Sequence, residues 1–165
     1  MKSIAIIVCT RRKNRKLIKF LKSIKNLKSN FRVKLIIIEN NINKTLKKKD
    51  FNNLRFNKKI KILYHLETKK GIAHARNKGL DILNNLRTDF VGFFDDDCEI
   101  SKDWLINMFK VQNKYNLDIL TGPQISKSKK IYFKALERNF KHLAQVNWAA
   151  TNNVFMKKKY WINQN

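Results

Sequence analysis

Short apolar runs alternating with segments of helical periodicity predict an α/β domain, a mostly parallel twisted sheet flanked by helices on both faces. Three observations carry that prediction. Ile4 to Cys9 and Leu35 to Ile38 are apolar at every position and rich in Ile and Val, which suits strands covered on both faces. Between such runs the apolar residues switch to helical spacing: Leu17, Ile18, Phe20, Leu21, Ile24 and Leu27, then Ile72, Ala75, Gly79, Leu80, Leu83 and Leu86. The resulting order is β-α-β-α-β-α-β, the pattern of crossover connections between parallel strands.

Residues 3–9 make the first strand, and a basic loop, Thr10-Arg11-Arg12-Lys13, leads to the first helix. Leu35 to Ile38 is the second strand. The segment from Lys44 to Phe56 has weak periodicity and predicts a short helix with loops, followed by a short third strand from Lys61 to Tyr64. A helix from Ile72 precedes the fourth strand, Phe90 to Phe94. Ser101 stands where an N-cap belongs, ahead of an apolar face of Trp104, Leu105, Met108, Phe109 and Val111. Leu117 to Pro123 reads as a strand entering a turn, Ile131 to Trp148 as a helix, and Thr151 to Met156 as a last strand. One Pro, four Gly and no Ser- or Gly-rich linker leave residues 1–165 as a single domain.

The chain has 165 residues and a net charge of +25, with 43% hydrophobic and 30% charged residues. No apolar run approaches the roughly 20 residues that span a bilayer, and the N-terminus lacks the pattern of a signal peptide. Residence in the cytoplasm is expected. Cys9 and Cys98 are too few for a disulfide framework or a zinc cluster and read as small buried thiols. The basic residues are spread along the whole chain, with no helix-turn-helix, RNA-recognition or zinc-finger signature, so specific nucleic-acid binding is not expected. Such a charge equally suits an anionic nucleotide or peripheral contact with an anionic membrane at its inner face.

Ligands of open α/β sheets bind at the carboxyl ends of the strands. Thr10 to Arg12, Glu39 to Asn41 and Asp95 to Asp97 occupy those ends and are expected to converge on one crevice. The last is the most unusual: Asp95, Asp96, Asp97 and Glu99 are four of only 12 acidic residues. Mutual repulsion raises carboxylate pKa values, so such a cluster calls for a neutralising cation, first of all a divalent metal. The competing reading is an acid cluster that stabilises the start of the helix near Ser101.

Four ordered motifs resemble family 2 glycosyltransferases of the GT-A fold: Cys9 to Arg15, Ile38-Glu39-Asn40, Gly71 to Leu80 with its Ala75-Arg76-Asn77, and Phe94-Asp95-Asp96-Asp97. Asp103-Trp104-Leu105, Thr121-Gly122-Pro123 and Ala150 to Lys158 fit as well, and the resemblance covers nearly the whole chain. It implies an inverting, metal-assisted transfer of sugar from a nucleotide-diphosphate-sugar donor to a saccharide, lipid or protein-linked acceptor. By that resemblance Thr10 and Arg12 contact the nucleotide, and Glu39, where the family usually carries Asp, contacts base or ribose. Arg76 meets the diphosphate, a role suited to its planar fork beside a helix start that favours anions. Asp97 and Asp95 are the implied ligands of Mn²⁺ or Mg²⁺, with Asp95 and Asp96 also placed toward the ribose. Trp148 and Asn153 fall on the donor-sugar and acceptor side, with Trp148 equally readable as a core aromatic after an amphipathic helix; His74 reads as structural or solvated. The resemblance also implies that the catalytic base belongs to an acidic motif further along than Asn165. The expectation is therefore a C-terminally incomplete domain, with the donor half present and the base outside the chain; the alternative is a non-catalytic remnant whose basic surface binds nucleic acid or anionic membrane.

Overall fold

The computed structural model describes residues 1–126, 144–145 and 152–162. In chain order the elements are β1 (Ser3–Thr10), α1 (Arg15–Lys25), β2 (Arg32–Asn40), α2 (Lys48–Asn52), β3 (Ile60–Glu67), α3 (Ile72–Asn84), β4 (Phe90–Asp95), α4 (Trp104–Tyr115), β5 (Ile119–Thr121), β6 (Val154–Lys157) and α5 (Lys159–Ile162). They build a six-stranded sheet in the order β3-β2-β1-β4-β6-β5. The first four strands in that order are parallel; β6 runs antiparallel to both β4 and β5. The expected α/β class and mostly parallel sheet are thus what the chain adopts.

The unbroken apolar runs are explained by the two faces they serve. Side chains alternate across a strand, so Ile4, Ile6 and Val8 pack toward Leu17, Phe20, Leu21 and Ile24 of α1 and Trp104, Leu105 and Met108 of α4. Ala5 and Ile7 turn the other way, into a second cluster with Ile36, Ile38 and the α3 residues Ala75, Leu80 and Leu83. Helix α3 lies close against the sheet because Gly79 has no side chain: a Cβ there would sit 2.8 Å from Ile7 Cγ2. Among the described residues no helix is long and apolar enough to cross a membrane.

Several boundaries differ from the sequence reading. Strand β3 runs on to Glu67, because an edge strand keeps polar positions such as His65 half-buried. Ser101 does not cap α4: the N-cap is Asp103, without a side-chain bond, and the Ser101 carbonyl accepts from Trp104 N at 3.0 Å in the preceding turn. The buried stripe of α4 is Trp104, Leu105, Met108 and Gln112, with Val111 only half-buried. Trp104, Met108 and Gln112 follow each other at intervals of four, and Gln112 is satisfied by donating to the Leu117 carbonyl at 3.2 Å. The expected last strand begins at Val154 rather than Thr151. The helix expected over Ile131 to Trp148 lies almost wholly outside the described residues, and Trp148 lies outside them.

Candidate active site

The parallel register places the ends of β1, β2 and β4 side by side, with Thr10 opposite Glu39 and Cys9 opposite Asp95. The three polar segments therefore do meet at one end of the sheet. Thr10 is buried, and its hydroxyl lies 2.6 Å from Asp96 Oδ2 and 3.0 Å from the Arg12 carbonyl. Asn14 completes this junction. Its Oδ1 accepts from Leu17 N at 2.8 Å and so caps α1, while its Nδ2 donates to the Arg12 carbonyl at 3.1 Å and to Asp96 at 3.2 Å. One short polar side chain thus starts a helix, shapes the basic loop and fastens that loop to the acidic turn. Arg12 itself stands exposed on the loop.

The remaining carboxylates of the turn face cations. Asp95 Oδ1 is 3.5 Å from an Arg76 guanidinium nitrogen, and Asp97 Oδ2 is 3.2 Å from Lys16 Nζ. Burial raises the Asp95 pKa above the ordinary carboxylate value, with Asp97 and Asp96 adding to the rise and Arg76 opposing it. Arg76 is aimed by the loop before α3. Asn40 Oδ1 accepts from Gly71 N at 2.9 Å, and Asn40 Nδ2 donates to the Lys69 carbonyl at 2.6 Å and the Glu67 carbonyl at 3.0 Å. Gly71 enters the helix at φ +133°, a backbone conformation open to glycine and strained for other residues. His74 is exposed in the first turn.

Glu39 behaves differently from the acidic turn. It is fully buried, and both of its oxygens are engaged inside the fold. Oε1 accepts from Thr45 N at 2.9 Å and from the Thr45 hydroxyl; Oε2 accepts from the Tyr64 hydroxyl and from Leu46 N at 3.3 Å. Burial pushes the Glu39 pKa up, but these bonds outweigh it and hold the carboxyl below its ordinary value. Glu39 is not a solvated loop acid. It holds the loop between β2 and α2 against β3, and the longer side chain is what reaches Tyr64.

Asn153 is likewise consumed by the fold. Its Oδ1 accepts from Trp104 Nε1 at 2.8 Å, its Nδ2 donates to the Pro123 carbonyl at 3.0 Å, and its own carbonyl takes Gly122 N at 3.3 Å and the Thr121 hydroxyl at 3.0 Å. Residue 152 beside it touches the acidic turn, where Cys98 Sγ donates to the Asn152 carbonyl at 3.7 Å. Burial raises the Cys9 and Cys98 thiols to about 11, so both stay protonated near neutral pH and read as packing residues.

Sequence reasoning gave no individual role to Asn14, Asn40, Thr45, Tyr64 or Lys16. Asn14, directly before an apolar helical run, carried the ordinary signature of an N-cap. The bonds of Asn40 and Tyr64 depend on distant loops and left no local signal.

Among the described residues no group of three His, Cys, Asp or Glu side chains gathers around one point. A metal would instead meet Asp95 and Asp97, hard oxygen donors on one turn that are each already paired with a cation. That donor set fits Mn²⁺ or Mg²⁺, which commonly take one or two carboxylates and complete their shell with phosphate oxygens and water.

The fold has relatives of known structure. S. aureus TarS 1–349 is 17% identical, with a TM-score of 0.60 over 99% of this chain and 49% of that one. The mannosyltransferase PcManGT from Pyrobaculum calidifontis, in complex with GDP-Man and Mn²⁺, is 15% identical, with a TM-score of 0.66 over 97% of this chain and 46% of that one. TarS 1–349 in complex with UDP-GlcNAc is 20% identical, with a TM-score of 0.54 over 73% and 34%. The chain thus spans between about a third and a half of the length of these proteins. A search of curated proteins gives no significant match. The sheet, its helices and these likenesses define a fold of the GT-A type. The profile of glycosyl transferase family 2 matches residues 5–163, and the chain belongs to that family.

Proposed function

We propose that the chain binds a nucleoside-diphosphate sugar at the carboxyl end of the sheet and takes part in its transfer, with inversion, to a saccharide, lipid-linked or protein-linked acceptor. The observation that supports this most is the junction of three chain segments at one place: Thr10 and Asn14 on Asp96, Arg76 on Asp95, and Lys16 on Asp97. Anionic and cationic groups alternate there, as a diphosphate and its counter-ion require. Arg76 and the exposed Arg12 are the groups for the diphosphate oxygens. Asp97 and Asp95 would hold Mn²⁺ or Mg²⁺, whose chemistry when bound is to neutralise the leaving diphosphate. The GDP-Man and Mn²⁺ bound to PcManGT and the UDP-GlcNAc bound to TarS favour the same ligand class.

Thr10 and Asp96 fix the floor between nucleotide and metal turn. Glu39 serves the nucleoside end through the loop it holds at Thr45 and Leu46. Asn153 fixes the backbone of the donor-sugar side, where Trp148 is also assigned. The base that deprotonates the acceptor hydroxyl is assigned to no residue of this chain. Calorimetry with UDP, GDP and dTDP, each with and without Mn²⁺ or Mg²⁺, tests the reading. Metal-dependent binding of one of them, weakened by Asp97→Ala, is expected; indifference to all three, or binding untouched by Asp97→Ala, refutes it.

A further inference from the structure

The end of the sheet that carries the candidate site also carries isoleucines that the core does not use. Ile42 is 77% exposed, Ile125 78% and Ile72 52%. Topology brings all three to one rim. Ile42 follows β2, Ile72 opens α3 directly after β3, and Ile125 follows β5, which runs in the direction of β4 because both are antiparallel to β6. The first two loops are tied together: Asn41 N donates to the Glu67 carbonyl at 3.1 Å, and Asn40 bonds both Lys69 and Gly71. Among the described residues, none of the three isoleucines belongs to either apolar cluster. Arg11, Arg12, Lys44, Lys47, Lys69 and Lys70 stand exposed on the loops of the same rim.

Branched apolar side chains at loop tips, set within a cationic collar, suit one environment well. At an anionic bilayer the isoleucines reach the acyl boundary while lysine and arginine meet the headgroups. A nucleic acid would satisfy the collar and leave the isoleucines in water.

We propose that this rim docks on an anionic lipid surface, with Ile42, Ile72 and Ile125 inserting and Arg11, Lys44, Lys47, Lys69 and Lys70 meeting headgroups. Docked in this way, the candidate site opens toward the bilayer. The docking surface does not depend on which ligand that site takes.

Co-sedimentation of the full chain with phosphatidylcholine vesicles, with and without phosphatidylglycerol, tests it. Binding that requires phosphatidylglycerol is expected. The triple variant Ile42→Ser, Ile72→Ser, Ile125→Ser should lower the partition coefficient at least about tenfold, and Lys69→Glu with Lys70→Glu should lower it through charge alone. Ile119→Ser, at the opposite end of β5 and 54% exposed, should leave it unchanged. Far-ultraviolet circular dichroism establishes that each variant is folded. Failure to bind phosphatidylglycerol vesicles, equal partition of the triple variant and the parent, or an equal loss in Ile119→Ser would overturn the proposal. So would retention of duplex DNA at the same salt with no vesicle binding.

Discussion

The acidic ends of β2 and β4, the two strands that flank β1, have been given opposite treatment. Glu39, at the end of β2, is sealed from solvent and saturated by neutral donors, the hydroxyls of Thr45 and Tyr64 and the amides of Thr45 and Leu46. Asp95 and Asp97, at the end of β4, keep substantial exposure and are held by Arg76 and Lys16. Partly exposed ion pairs contribute little to stability and exchange readily for another ion. A buried carboxylate with four donors is costly to disturb. The two strand ends thus divide the labour: Glu39 fixes the scaffold, while Asp95 and Asp97 keep their oxygens in exchangeable ion pairs.

The sharpest way to break this contrast is to exchange the consequences of mutation. Glu39→Ala leaves the Tyr64 hydroxyl and the amides of Thr45 and Leu46 without partners, and should lower unfolding stability in urea by about 3 kcal/mol. Asn153→Ala, which removes the acceptor for Trp104 and the donor to Pro123, should cost about 2 kcal/mol in the same titration. Tyr64→Phe removes one donor to Glu39 and should cost about 1 kcal/mol. Asp97→Asn should stay within about 0.5 kcal/mol of the parent, since its partner Lys16 is free to return to water. A stability loss for Asp97→Asn equal to that for Glu39→Ala would dissolve the distinction.

Acid extends the same test. The folded pKa of Glu39 lies below its unfolded value of 4.5, so its contribution is fully present above that value and is lost as pH falls through the folded pKa. Asp50, lowered by its hydrogen bond and ion pair with Lys13, acts in the same direction. Glu39→Gln should therefore flatten the fall of stability below about pH 4.5 in part, leaving the contributions of Asp50 and of Asp118, which its hydrogen bond with Lys157 likewise lowers. An acid limb of unchanged slope would show that Glu39 does not carry it.

How much of this was legible in the sequence follows the range of the interactions. The strands could be read because burial on both faces demands unbroken apolar runs, and the candidate site was located because the acids stand directly after one of them. The acidic turn declared itself through local charge alone. Glu39 did not declare its burial: at a strand end it looked like any loop carboxylate, and its partner Tyr64 lies 25 positions away. Asn153 looked like a ligand-side residue because its four bonds reach back to Trp104 and to the turn at Thr121 to Pro123, contacts that only the tertiary fold creates. Ser101 failed as a cap for a smaller reason, a helix that starts two residues later with Asp103 before it.

The most direct measurement is Mn²⁺ binding, followed by electron paramagnetic resonance with a nucleoside diphosphate present, in the parent, Asp97→Asn and Glu39→Gln. Loss of bound Mn²⁺ in Asp97→Asn, with Glu39→Gln retaining it in spite of weaker folding, is the predicted result. Retention in Asp97→Asn together with loss in a folded Glu39→Gln would contradict the account.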